Sequence, residues 1–252
     1  MNEPQSDNRI PESGSATPQH ARSTYKAWAT YTILGTTILV FLLQLLTQQP
    51  SGTDLMELYG EKINEAIIAG ELWRILTPVF LHASLWHILF NMYALFVIGP
   101  ALEQFYGRAR FVLLYFVSGI AGNVVSFYLS PNPSVGASTA LFGLISAQAV
   151  FIYRNRQFFG GRARSMLGST LMIVVVNLML GLTPGIDNWG HMGGLLGGLA
   201  FAWAAGPLLD VTWLPGGGYT VVDHSPRQKA WMVGGIETAV LVGLVLLRIL
   251  QG

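Results

Sequence analysis

The chain has 252 residues, of which 52% are apolar and only 11% charged, with a formal net charge of +1. Soluble domains average about 25% charged residues, so the composition points to lipid as the main solvent, and so small a net charge argues against the clustered basic face of a nucleic-acid binder. The absence of cysteine excludes disulfides, thiolate metal sites and a cysteine nucleophile.

Residues 1–26 are rich in Ser, Pro, Gln, Asn and charge and hold no apolar stretch, so they are expected to form a disordered tail and not a cleavable signal. A membrane-spanning helix needs about 20 mostly apolar residues, and seven such runs follow. The first covers 28–46. Residues 47–83 are too charged to span and are read as an outer loop containing Trp73, Arg74 and His82. The second run, 84–102, ends at Glu103 and carries His87 and Asn91, one helical turn apart on one face. Residues 111–153 hold no charge, and Pro131 and Pro133 divide them into a third run (111–129) and a fourth (137–153). Ser138 stands at the start of the fourth. A basic loop, Arg154 to Arg164, precedes the fifth run (165–182). A short turn through Pro184 and Gly185 leads to the sixth (189–207), which carries His191. A polar connection (208–229) with Gly216, Gly217 and Gly218 leads to the seventh (230–250).

With the N-terminus inside, eleven of the 14 Lys and Arg residues fall on inner segments and three on outer ones. This bias supports seven spans, a cytoplasmic N-terminus and an outer C-terminus. The expected organisation is a cytoplasmic tail (1–26), a six-helix core (27–207), a cytoplasmic connection (208–229) and a seventh helix with the C-terminus (230–252). The fold class is all-α, in a multi-pass protein of the cell membrane.

Polar groups inside hydrocarbon are costly and call for a functional reading. Under this topology Ser138, His191, His87 and Asn91, supplied by three helices, share one outer layer of the membrane. Their chemistry is complementary. A serine hydroxyl needs a base to become a nucleophile, and histidine is suited to that near neutral pH. An oxyanion formed by attack on an amide needs placed donors, which Asn91, His87 and the Ser138 amide offer. Gly194 and Gly198, and Gly193 and Gly197, are four apart. Such small-residue faces let helix backbones approach in lipid, and Gly136, Ala140, Gly143 and Ala147 on the fourth run offer a matching face. The fourth and sixth runs are therefore expected to cross there.

These motifs resemble the rhomboid protease family. Gly136-Ala137-Ser138 resembles its Gly-x-Ser motif, Gly190-His191 through Gly198 its His-x-x-Gly-x-x-x-Gly pattern, and His87 to Asn91 its His-x-x-x-Asn motif. Trp73-Arg74 resembles the family's Trp-Arg pair in the first outer loop, and Glu103 to Gly107 its Glu-x-x-x-Gly. The similarity covers roughly residues 55–207. It implies a six-helix core with one added C-terminal helix, a Ser138–His191 dyad that uses no metal or cofactor, and His87 and Asn91 as oxyanion donors. It implies stacking of Phe142 on His191, and cleavage of transmembrane protein substrates near the outer face. Thr139 replaces a common glycine of the family.

Each residue also has a plain reading. Ser138 could bond the preceding turn, His191, His87 and Asn91 could join helices, and Phe142 could be core. Trp73, Arg74, His82, Glu103 and Gly107 are read as structural. Asp187, one turn before His191, is a possible third catalytic member, but a solvated residue outside a dyad is the preferred reading. Glu237 is the one acid inside the seventh run and has no assigned role. A pseudoprotease would be expected to lack Ser138 or His191. A transporter would be expected to show broken midplane helices and inverted repeats, neither of which is visible.

Overall fold

The computed structural model describes residues 25–49, 54–215 and 218–251. The tail read at 1–26 lies almost wholly outside the described residues, as do Gly216 and Gly217 of the connection. Seven long helices follow one another: α1 (Trp28–Thr47), α2 (Leu85–Tyr106), α3 (Arg108–Leu129), α4 (Ser138–Arg154), α5 (Arg162–Leu180), α6 (Asn188–Ala205) and α7 (Arg227–Gln251). The protein is a predominantly helical, polytopic membrane protein, as its composition requires.

Five helices, α1, α2, α3, α5 and α7, are long and apolar enough to cross a membrane. The other two, α4 and α6, have 17 and 18 residues. They are also the helices that carry Ser138 and His191. With α3 they form the centre of the bundle, while α1 packs on α2, α5 on α4, and α7 on α3 and α6. A helix solvated by protein does not need the length or the lipid-facing apolar surface of a peripheral one.

The termini of α1 and α2 are joined by a buried carboxylate. Glu103, near the end of α2, is fully buried and accepts hydrogen bonds from the Ala29 and Thr30 amides (3.1 and 2.7 Å) and from the Thr30 hydroxyl (2.7 Å). The first amides of a helix have no partner within it and carry the positive end of its dipole. Glu103 therefore caps α1 from another helix, which bears out its structural reading. Gly107 then turns the chain into α3 at φ +75°, a conformation that favours glycine.

The loop between α1 and α2 is built from short helices, Leu55–Gly60 and Asn64–Ile68, and two 3-10 turns, Leu72–Ile75 and Thr77–Phe80. The buried Arg74 guanidinium ties it together, donating to the carbonyls of Glu61 (2.9 Å) and Leu58 (3.0 Å) and pairing with Glu71 (2.6 Å). The Trp73 indole donates to the Tyr59 carbonyl. Lys62 is fully buried, and its ammonium donates to Asn64 Oδ1 (3.1 Å) and the carbonyls of Ser130 (3.0 Å) and Asn132 (2.7 Å). Burial pulls its pKa down, but the three acceptors replace its hydration. The Lys62 and Ser134 backbones exchange two hydrogen bonds as well. The loop is thus clamped to the segment that leads into α4.

The connection after α6 differs from its sequence reading. It folds as an antiparallel hairpin of β1 (Leu209–Trp213) and β2 (Tyr219–Asp223), with Leu209 opposite Asp223 and Trp213 opposite Tyr219. β1 alternates apolar and polar residues and β2 is rich in Val, Thr and Tyr, a strand signal that the polar character of the segment as a whole obscures. The buried Arg110 at the start of α3 holds the hairpin's root through Asp223 and the Ser225 carbonyl. As a result α7 begins at Arg227, three residues before its expected start.

Candidate active site

Ser138 is the first residue of α4 and His191 lies in the first turn of α6. Both helix starts therefore face the same end of the bundle. His191 Nε2 lies 2.9 Å from Ser138 Oγ. With Nε2 unprotonated, the hydroxyl donates to it, which is the arrangement a base needs to draw off that proton. The other ring nitrogen, Nδ1, is buried with no partner among the described residues. The Phe142 ring stacks on the His191 ring at 4.4 Å between centroids and 15° between planes. It lies one turn beyond Ser138 on the same helix, so α4 supplies both the hydroxyl and the wall that orients the imidazole.

Close backbone contact between α4 and α6 brings the two side chains together. A Cβ on Gly194 would overlap the Thr139 backbone, and one on Gly198 would overlap the backbone of Gly143. The expected crossing through Gly194, Gly198 and Gly143 is therefore present. Gly193 and Gly197 instead meet Val125 and Ala121 of α3, and Gly136 faces away from α6. The Ala147 carbonyl accepts from the Tyr106 hydroxyl. Gly136, at φ +131°, faces His87, where a Cβ would come within 2.7 Å of Nε2.

The Gly136 contact places His87 beside Ser138, because the same Cβ position is 3.5 Å from Ser138 Oγ. His87 lies in the first turn of α2: Ser84 caps the helix, accepting from the His87 amide, and Asn91 follows one turn later. Asn91 is buried, and its Nδ2 has no acceptor among the described residues. An unsatisfied buried donor is costly, and functional sites are where such groups persist. As the first residue of α4, Ser138 has no preceding helical turn to accept its own N–H, and the dipole of α4 favours negative charge at that point.

Two further residues shape the site. His82, buried in the loop, accepts from the Ala137 amide through Nε2 at 3.5 Å, and its own amide donates to Gln44 on α1. It lies edge-on to His87 with 5.0 Å between ring centroids. Burial, helped by His87, drives its pKa down to about 3, so it is neutral and able to accept. Asp187 is engaged, contrary to its solvated sequence reading. Its carboxylate caps α6 by accepting from the Gly190 amide (2.9 Å) and also accepts from the Ser126 hydroxyl. An Asp just before an apolar run is a recognisable N-cap signal. Trp73 and Arg74 belong to the loop scaffold described above. Glu237 of α7 lies against α6, 3.4 Å from where a Gly197 Cβ would be.

A polytopic helical membrane protein with a serine hydroxyl and an imidazole in contact between two inner helices defines a narrow class. The family model described as the Rhomboid domain matches residues 69–208. Rhomboid protease GluP of Bacillus subtilis is 40% identical over 178 residues, covering 70% of this chain and 34% of that protein. RHOMBOID-like protein 9, chloroplastic, of Arabidopsis thaliana is 33% identical over 155 residues, covering 61% and 36%. A second Bacillus subtilis protein, YdcA, is 37% identical over 137 residues, covering 54% of this chain and 68% of YdcA. This chain belongs to the rhomboid family. It spans roughly a third of the length of the first two of these relatives.

Proposed function

We propose that the protein is an intramembrane serine endopeptidase that hydrolyses peptide bonds of transmembrane proteins through a Ser138–His191 dyad. The observation that carries this reading is the 2.9 Å contact between Ser138 Oγ and His191 Nε2. His191 takes the hydroxyl proton as Ser138 Oγ attacks the substrate carbonyl. Asn91 Nδ2, His87 and the Ser138 amide receive the developing oxyanion, and each such donor is worth about 2.7–4 kcal/mol of transition-state stabilisation. His191 then gives its proton to the leaving amine, and water hydrolyses the acyl-enzyme by the reverse proton path. The residues assigned to the reaction need no metal or cofactor.

The substrate must unwind locally, because a helical carbonyl is already bonded within its own helix. Transmembrane segments with Gly, Pro or polar residues near one end are therefore the substrates expected. All seven long helices are taken to span the cell membrane, with residues 27–207 as a six-helix catalytic core, α7 as an added helix, and the N-terminus cytoplasmic. Ser138 then opens to the outer face, and residues 208–229 lie in the cytoplasm.

The test uses purified protein in liposomes with a transmembrane substrate, beside Ser138→Ala and His191→Ala proteins. Cleavage by the unaltered protein alone, with fluorophosphonate labelling at Ser138, is the expected result. Equal cleavage by the Ser138→Ala protein would refute the assignment.

A further inference from the structure

The hairpin is amphipathic. Its register places Val211 beside Val221 and Trp213 beside Tyr219 on one face, and Thr212 beside Thr220 and Asp210 beside Val222 on the other. The apolar face has no cover among the described residues: Trp213 is 75% exposed and Tyr219 54%, with their rings edge-to-face at 5.9 Å. A lone two-stranded hairpin in water is marginal at best, so this apolar face needs a surface to lie on.

The root of the hairpin fixes where that surface is. The Leu209 amide donates to Asn155 Oδ1 at 2.7 Å, Gln157 donates to the Leu209 carbonyl at 3.2 Å, and Asp223 pairs with Arg110. Asn155 is the C-cap of α4 and Arg110 lies in the first turn of α3, so the root lies at the end of the bundle opposite Ser138. The hairpin starts four residues after α6 ends at Ala205, and α7 starts four residues after the hairpin ends at Asp223. Five-residue strands reach only about 17 Å. The whole hairpin is therefore confined close to one membrane surface.

The charges around it complement an anionic surface. Arg154, Arg156, Arg162 and Arg164 flank the residues that hold its root, and Arg227 and Lys229 open α7, with no acid in 154–165 or 224–236. Of the two acids in the strands, Asp223 is paired with Arg110. Trp and Tyr favour the headgroup level of a bilayer, and basic residues beside them draw anionic lipid.

We infer that the hairpin is a membrane-interface paddle: Trp213, Tyr219, Val211 and Val221 lie in the headgroup layer opposite the Ser138 side, held there with anionic lipid by the neighbouring arginines. The paddle sets the depth at which α7 enters the membrane, and it operates whether or not the chain cleaves peptides.

The chain has no cysteine, so a single introduced thiol reports one position. Trp213→Cys, Tyr219→Cys, Thr212→Cys and Thr220→Cys proteins, each carrying an environment-sensitive fluorophore, are placed in phosphatidylcholine vesicles with or without phosphatidylglycerol. Positions 213 and 219 should be quenched several-fold more by brominated lipid than by aqueous iodide, with the reverse at 212 and 220. Lipid quenching at 213 should rise when phosphatidylglycerol is included. Equal iodide quenching of both faces would overturn the paddle. So would shielding of 213 and 219 from both quenchers in native membranes, because a protein partner would then cover the face. Quenching that ignores phosphatidylglycerol would overturn the anionic-lipid component.

Discussion

Gly198 of α6 lies so close to Gly143 of α4 that a methyl group on Gly198 would overlap the Gly143 backbone. One turn earlier, Gly194 meets Thr139 in the same way, and beyond it His191 reaches Ser138. The geometry of the polar pair is thus set by the packing of residues with no side chain of their own.

Gly198→Val or Gly194→Leu should therefore separate α4 from α6. Overpacking of a tight contact costs about 1–3 kcal/mol or more, and a displacement near 1 Å at the reacting atoms costs about 100-fold in rate. Gly235→Ala is the control, because nothing lies within 4 Å of its added methyl. Cleavage rates and unfolding of all three proteins would decide. A Gly198→Val protein as active as the Gly235→Ala protein would show that the crossing does not position the site.

Asp187→Asn should retain most activity and Asp187→Ala should lose stability, by about 0.5–2 kcal/mol. Asn can cap α6 as Asp does, but it cannot supply the charge a third catalytic member would. A 10⁴-fold fall in kcat for Asp187→Asn with unchanged unfolding would mean that the carboxylate acts on His191 after all.

The buried His82 predicts a specific acid sensitivity. Its folded pKa of about 3 lies below the ordinary value near 6.5. Between those values the unfolded chain holds the proton and the folded chain does not. Stability should therefore fall as pH drops below about 6.5, by at most about 1.4 kcal/mol per pH unit from this group. His82→Gln, which can still accept from the Ala137 amide, should flatten that slope. Unfolding curves in detergent across pH 4–7 (~ three units, enough to resolve a slope of this size) would reveal it, and identical slopes would remove His82 as the cause.

Lys62→Met should loosen the loop from the segment before Ser138. Three acceptors, including the carbonyls of Ser130 and Asn132, lose the ammonium, although the Ser130 carbonyl keeps the Asn64 side-chain amide as a donor at 3.0 Å. Leaving buried groups unsatisfied costs about 1–3 kcal/mol each. Faster proteolysis of the 54–84 loop is expected, with slower cleavage of substrate. An unchanged digestion pattern would mean that the backbone pairing of Lys62 with Ser134 suffices.

Glu103→Ala should weaken the attachment of α1 without touching the reacting groups. The carboxylate satisfies the amides of Ala29 and Thr30, and hydrogen bonds to a charged group are worth about 1.5–3 kcal/mol each. Thermal stability should drop while the fluorophosphonate reactivity of Ser138 persists below the new Tm. Loss of labelling in a protein of unchanged Tm would contradict a capping role.

The order of the helices and the Gly194–Gly198 face of the α4–α6 crossing are legible in the chain, whereas the stacking position of Phe142 follows from the family resemblance alone. Spacing along a helix maps directly onto faces, and prolines and charges mark where apolar runs end. Nothing local marks Lys62 as buried, because lysine is ordinarily exposed and its acceptors come from positions up to 70 residues away. The cap that Asp187 forms was recognisable locally, but its bond to Ser126 was not. The hairpin was hidden because five-residue strands carry little signal beside long apolar helices.

Read alone, the chain determined that lipid is its solvent, which residues are too polar to sit idly in it, and on which helices they stand, since these follow from composition and from the 3.6-residue period. Only the tertiary structure decided that a hydroxyl on one central helix and an imidazole on another lie within hydrogen-bond reach, and that a buried ammonium and two carboxylates hold the surrounding frame. Those are contacts between residues distant in the chain, and no local pattern encodes the distance between two backbones once they pack.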